Sequence, residues 1–199
     1  MRHNLLRLSG RTILIALIIF EFLNLINILH FSLDFTWLGL MITSVLAIAT
    51  IEIISSNTHK HTGEPVQGIV YFMASISVFF DAFSDIYHLY SRFWFTDNIL
   101  HFLGGGCVAI CFFSVIRAYI HAGKIKLPSF SLIFFSICAA SFTGTLYEIE
   151  EYSESYFFHT NRLGDAFDTA NDLLMNNFGA LTFCVLIFLF INRSRIFHK

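Results

Sequence analysis

The chain has 199 residues, of which 56% are hydrophobic and only 13% charged. An ordinary soluble domain carries about a quarter charged residues, so the composition excludes one and leaves no room for a sizeable soluble domain. The net charge of −2 comes without a basic nucleic-acid surface, and no P-loop, GxSxG elbow or dinucleotide fingerprint is present.

The apolar excess lies in runs of about 20 residues, the length that crosses a bilayer core as helix. These runs predict six transmembrane helices, at about 12–30, 37–56, 68–90, 98–120, 129–152 and 168–192, in a single integral membrane domain spanning 1–199. The predicted fold class is all-α, a polytopic helix bundle. The connections are short, so neighbouring helices are expected to pack antiparallel.

Helix one follows a basic N-terminal stretch. Its apolar run is too long for a signal h-region and no small-x-small cleavage site follows, so it is expected to stay in the protein. It carries Glu21 mid-span, with Asn24 and Asn27 at helical spacing. These are expected to bond a neighbouring helix or to line a cavity. Helix three carries Asp81, Asp85 and His88 on its outer half. Helix four opens with Asp97 and His101, four apart and so on one face. Gly104, Gly105 and Gly106 follow them. Three helical glycines cost about 1 kcal/mol each relative to Ala, and close helix approach is the expected reason. Helix five ends with Glu148 and Glu151, three apart. Helix six begins with Asp165, Asp168, Asp172 and Asn176 as a polar stripe, and Gly179 and Ala180 follow as packing residues.

The four cysteines lie in apolar runs without zinc-type spacing, and read as small packing residues. His59 and His61 read as loop residues, and Asp34, Glu150 and Glu154 as solvated acids near loops.

Lys and Arg set the orientation. Arg2, Arg7, Arg11, Lys60, Arg117, Lys124, Lys126, Arg193, Arg195 and Lys199 fall on one side, and only Arg92 and Arg162 on the other. Both termini are therefore expected to be cytoplasmic. Eleven of the acids then gather at the extracytoplasmic face, where helices three and five end and helices four and six begin. Two carboxylates about 4 Å apart repel by about 4 kcal/mol at an effective dielectric near 20. Several close together must be protonated, face water or share a cation. Two arginines are too few to neutralise them.

Intramembrane ionisable residues mark a functional site by default. Asp97, His101, Glu148 and Glu151 are the candidate catalytic residues. His101, Glu148, Glu151, Asp168 and Asp172 are the candidate metal ligands, with Asp81, Asp85 and Asn176 in a second tier. Carboxylates with one His and an Asn suit Mg, Mn, Ca or Zn. Inward carboxylates and a His on facing helices are also how bundle metal sites are built.

The stretch FTDNILHFLGGG (95–106) resembles the D-x-x-x-H-F signature of the YjdF-like family of bacterial inner-membrane proteins. GTLYEIEEYSE (144–154) resembles that family's aromatic-E-x-x-E helix, with Glu148 and Glu151 matching. GDAFDTANDLLMNNFGAL (164–181) resembles its D-x-x-x-D helix, with Asp168, Asp172, Gly179 and Ala180 matching. Asp172, Asn176 and Gly179 are also similar to the D-x-x-x-N-x-x-G motif of the more distant VanZ-like proteins, some of which are associated with glycopeptide resistance. Glu150 and the segment Ser155 to His159 have no counterpart. The resemblance implies a multipass protein of a bacterial cytoplasmic (inner) membrane, and it implies no reaction.

The leading expectation is a metal-dependent hydrolase or transferase acting on a lipid headgroup or lipid-linked phosphate. Its partners would be membrane lipid and no nucleic acid. Asp97 would orient His101 or act as general base. With no Ser or Cys nucleophile in the motifs, water would attack directly. The alternatives are a cation- or proton-coupled transporter using Glu21, Asp81 and Asp85, or a non-catalytic scaffold whose acidic face binds a partner. No inverted repeat supports transport.

Overall fold

The computed structural model describes the backbone of residues 2–196 and the side chains of residues 4–190. Arg2, Arg193, Arg195 and Lys199, which the charge count uses, therefore lie outside the residues with described side chains. The protein is all-helical among the described residues. Its helices are α1 (Arg2–Leu25), α2 (Trp37–Thr62), α3 (Gly68–Ile86), α4 (Leu89–Arg92), α5 (Thr96–His121), α6 (Ser129–Phe158) and α7 (Ala166–Ile196). All but α4 are long and apolar enough to cross a membrane, six in number.

Local chemistry explains the helix ends. Thr36 stands extended before α2, and its hydroxyl accepts a hydrogen bond from the Gly39 amide at 3.0 Å. That satisfies one of the free N–H groups every helix start exposes. Gly63, at φ +78°, closes the other end by donating its N–H to the His59 carbonyl at 2.8 Å.

The third span ends earlier than position 90. His88 takes the left-handed conformation at φ +56°, which breaks the helix after Ile86 and starts the short α4. His is among the residues enriched in that region. Its ring is held by Asp34, at 2.7 Å from Nδ1, and by Ser32, at 3.0 Å from Nε2. His88 therefore does not share a stripe with Asp81 and Asp85. The fifth span runs on past 152 to Phe158, through the aromatic segment, and ends at His159 in the same left-handed conformation.

Two groups of helices make up the bundle. α1 packs on α3 and α2, α5 packs on α7 and α6, and α3 against α5 joins the groups. Sequence neighbours α2 and α3 touch less than α1 and α3 do. A short connection sets antiparallel direction without setting which helices share the most surface. Outward faces carry large apolar side chains such as Phe130, Phe142, Leu186 and Phe190, as a lipid-facing surface requires. The interior holds many small or polar groups, among them Ser44, Ser75, Ser136 and Ala180.

Small residues let α5 and α7 approach closely. A Cβ on Gly105 would strike the Asn176 backbone, and one on Gly179 would strike the Phe102 carbonyl. One on Gly104 would meet only the Ser77 hydroxyl, at 3.9 Å. Glycines 105 and 104 should therefore separate in experiment. Gly105→Ala is expected to destabilise by about 1–3 kcal/mol, the usual range for overpacking. Gly104→Ala should be neutral or slightly stabilising, since Ala is the better helix former. Thermal unfolding of both variants in one detergent checks this, and equal midpoints would refute the close-approach account.

Candidate metal and acid centre

Helix geometry brings residues from α3, α5, α6 and α7 to one end of the bundle, with the α6–α7 connection folded over them. Two linked clusters result.

His101 is the centre of the first. It is 4% exposed on the second turn of α5. Its Nε2 lies 3.4 Å from Asp97 Oδ1, one turn earlier, and 3.8 Å from Asp172 Oδ1 on α7. Its Nδ1 lies 3.7 Å from Glu148 Oε1 on α6 and 3.1 Å from the Asn176 amide nitrogen on α7. Glu148 is 5% exposed and Asp172 1%. Neither has a hydrogen-bond partner for either carboxylate oxygen. A buried polar group without a partner is costly, and a buried charge costs far more. Four such oxygens around one imidazole need an explanation.

Arg162 is the centre of the second cluster. It sits in the α6–α7 connection yet is only 7% exposed. Its Nε donates to Glu151 Oε1 at 3.0 Å. Its NH2 group donates to Tyr147 Oη at 2.7 Å and to Asp81 Oδ1 at 3.3 Å. The guanidinium also lies over the rings of Phe35, at 4.5 Å, and Tyr90, at 5.2 Å. Burial alone would lower its pKa. The surrounding Tyr147, Tyr90, Asp81 and Glu151 outweigh that and hold it well above the usual arginine value, so the charge is permanent. Tyr90 donates its hydroxyl to Asp81. Burial, reinforced by Asp81, raises the Tyr90 pKa well above the ordinary phenol value and keeps that donor protonated.

Tyr147 joins the clusters. Its hydroxyl reaches Arg162 and, at 3.4 Å, Asp81, while its ring packs edge-on against His101 with centroids 5.7 Å apart. Glu151 also belongs to both, because Arg162 takes one oxygen and the other is buried without a partner.

Two sets of potential ligand atoms result, each within 4.8 Å of one another: Asp97, His101 and Asp172, and His101, Glu148 and Glu151. Ligands about 2.1 Å from one ion stand at most about 4.2 Å apart, so small side-chain rotations close either set. Asp168 joins neither set. It sits one turn before Asp172, partly exposed at the rim, with its carboxylate against Gly164. Asp81 is held by Arg162 and the two tyrosines. Asp85 accepts from the Asp34 and Phe35 amides at 2.7 and 3.1 Å, and so anchors the α1–α2 connection.

Three acids expected at the solvated surface are not simple surface groups. Asp34 grips His88 and accepts from the Ser91 amide. Glu154 is buried and accepts from the Thr36 hydroxyl at 2.5 Å. Glu150 is partly buried. Their distance from the apolar runs is misleading, because α6 continues past its predicted end and carries Glu154 inward against α2. Deeper in the bundle, Glu21 is fully buried and accepts from Ser44 of α2 at 2.9 Å. On the opposite side of the bundle, Arg11 and Glu52 form a two-pronged pair at 2.5 and 2.6 Å.

The role of Arg162 was not visible as a site in the sequence. The available signal was a lone cation between two acid-rich helices, together with Tyr147 and Glu151 at i and i+4 on one face.

No curated protein and no solved structure matches the chain. One family does, that described as "Predicted membrane protein (DUF2238)", over residues 11–193, so the match takes in both clusters and all of the membrane spans except the first turns of α1. The chain, a multipass membrane protein by its six apolar helices, belongs to that family.

Proposed function

We propose that this protein is a metal-dependent membrane enzyme acting on a phosphate-bearing or ester-bearing lipid head, with its centre at His101. One observation carries the reading: Glu148 is buried beside Nδ1 of His101 with both carboxylate oxygens unpartnered, and one oxygen of the neighbouring Glu151 is buried without a partner too. A divalent cation between them would coordinate those oxygens and neutralise the carboxylates.

The Nδ1 face suits the ion best. Glu148 lies there, and Glu151 completes a ligand set with it and His101. Asn176, 3.1 Å from the same nitrogen, can turn its amide to offer oxygen. Nε2–H is then left to donate to Asp97, the carboxylate–histidine pairing that orients metal-bound imidazoles. One imidazole among carboxylates favours Zn or Mn over Mg or Ca. An ion there supplies Lewis-acid activation of water and of a phosphoryl or ester oxygen.

The residues divide the remaining work. Asp97 is the most exposed carboxylate of the His101 cluster and faces the adjoining cavity, so it takes a proton from water. Arg162 orients Glu151 through its Nε. Tyr147 fixes Arg162 against the His101 ring. Positive-inside charge supports an extracytoplasmic position for this end, at headgroup depth, and the YjdF-like resemblance supports a bacterial cytoplasmic membrane. The VanZ-like similarity rests only on Asp172, Asn176 and Gly179. A proton or cation path through Glu21, Asp81 and Asp85 has less support, because Glu21 and Asp85 stand outside the cavity that Asp81 lines.

Elemental analysis of detergent-purified protein tests the reading, followed by phosphate release from lipid phosphates with and without chelator. Stoichiometric Zn or Mn and chelator-sensitive turnover are expected. A metal-free protein that takes up no ion on dialysis would overturn it.

A further inference from the structure

A cavity of about 530 Å³ runs from the His101 centre into the bundle between α2, α3, α5 and α6. That volume lies in the ordinary range for a small-molecule site. Its character changes along its length. Asp81, Tyr90, Asp97, His101, Tyr147 and Asn176 line one end. The remainder is mostly apolar, with Ile54, Val70, Ala74, Cys111 and Phe112 among its walls. On α5 the lining extends from Asp97 to Phe112, about 22 Å at 1.5 Å per residue. One lipid tail occupies about half of a 30 Å hydrocarbon core, or about 15 Å.

The wall of the cavity is thinnest on one side. α2 and α6 both line it, yet among the described residues they make no extended packing with each other. They meet at the outer end, where Thr36 donates to Glu154 and Gly39 abuts the same carboxylate. Below that contact nothing but side chains of α2 and α6 separates the cavity from the apolar outer surface. Phe and Leu side chains on the outward faces are bathed by lipid already, so a tail can pass sideways without entering water.

We infer that this slot takes one hydrocarbon chain of a phosphate-headed membrane lipid, entering between α2 and α6 with its head at the His101 end. The inference rests on the metal-centre reading only for the head. A polar end that carries the carboxylates of Asp81, Asp97 and Glu150 beside the His101 imidazole and the Asn176 amide would repel a bare phosphate and fits one held through a cation, and a long apolar bore fits a tail. A free phosphate compound would leave the bore unfilled.

The test uses the full chain in nanodiscs containing phosphatidic acid with a diazirine in one acyl chain. After irradiation, peptides are mapped by mass spectrometry and metal is measured on the same sample. Labels on Thr50, Ala74 and Cys111 are expected. Gly104→Leu and Ala74→Leu should each narrow the bore and abolish those labels while metal content stays at the wild-type level. A Cβ at Gly104 meets only the Ser77 hydroxyl, at 3.9 Å, and no backbone, and the position lines the bore. Labels confined to outward residues such as Phe134 and Phe142, unchanged in both variants, would overturn the slot. Bore labelling in a metal-free protein would uphold the slot and remove the metal centre. Metal without bore labelling would do the reverse.

Discussion

Glu148→Gln is expected to abolish metal binding, and Asp172→Asn to weaken it by about 10–100-fold without abolishing it. The difference follows from position. Glu148 faces Nδ1 of His101, on the side where Glu151 and Asn176 complete a ligand set. Asp172 faces Nε2 at 3.8 Å, where it polarises the imidazole beside Asp97. Outer carboxylates of that kind typically contribute a factor of about 10–100 in metal affinity. Titration of metal-depleted protein with Zn or Mn, read by calorimetry, gives both numbers. The reverse ranking would put the ion on the Asp97–Asp172 face. Wild-type affinity in both variants would place the ion away from His101 and overturn the assignment. Acidification should release metal in every case, because carboxylate and imidazole must shed protons to bind it.

Arg162→Met is expected to destabilise the protein by about 3–5 kcal/mol, the range for breaking a buried ion pair by removing one partner. Arg162 holds Glu151 and Asp81 at once, and the two carboxylates are left without a counter-charge when it goes. Arg162→Lys should recover only part of the loss, since one ammonium cannot match the forked contacts to Glu151, Asp81 and Tyr147. The triple variant Arg162→Met, Asp81→Asn, Glu151→Gln should recover more, because removing all the charges together avoids the uncompensated state. Thermal unfolding in detergent measures each step. A single variant as stable as wild type would mean that water already screens the cluster and the ion pairs contribute nothing.

The two predictions bear on different functions of the same acids. Glu151 is tied to Arg162 through one oxygen and left free through the other. It connects a structural ion pair to the proposed metal site. Loss of Arg162 should therefore lower metal affinity even where the variant remains folded.

By itself, the sequence determined the all-α class, the number of spans, the close packing at Gly105, Gly106 and Gly179 though not at Gly104, and the end of the bundle where acids gather. Those properties follow from apolar run length, from the cost of helical glycine and from the cost of charge in hydrocarbon, all of which act locally along a chain. Asp97 and His101 were legible as a pair for the same reason, since four residues of helix put them on one face. Tertiary structure decided the rest. It separated the acids into one group around His101 and another around Arg162, because helix rotation and the fold of the α6–α7 connection depend on packing partners distant in sequence. It moved Asp168 to the rim, buried Glu154 against α2 and turned His88 away from Asp81 and Asp85 through one left-handed residue. It alone left the lined gap between α2 and α6, since a cavity is where neighbouring helices fail to meet, and no single helix carries a pattern for that.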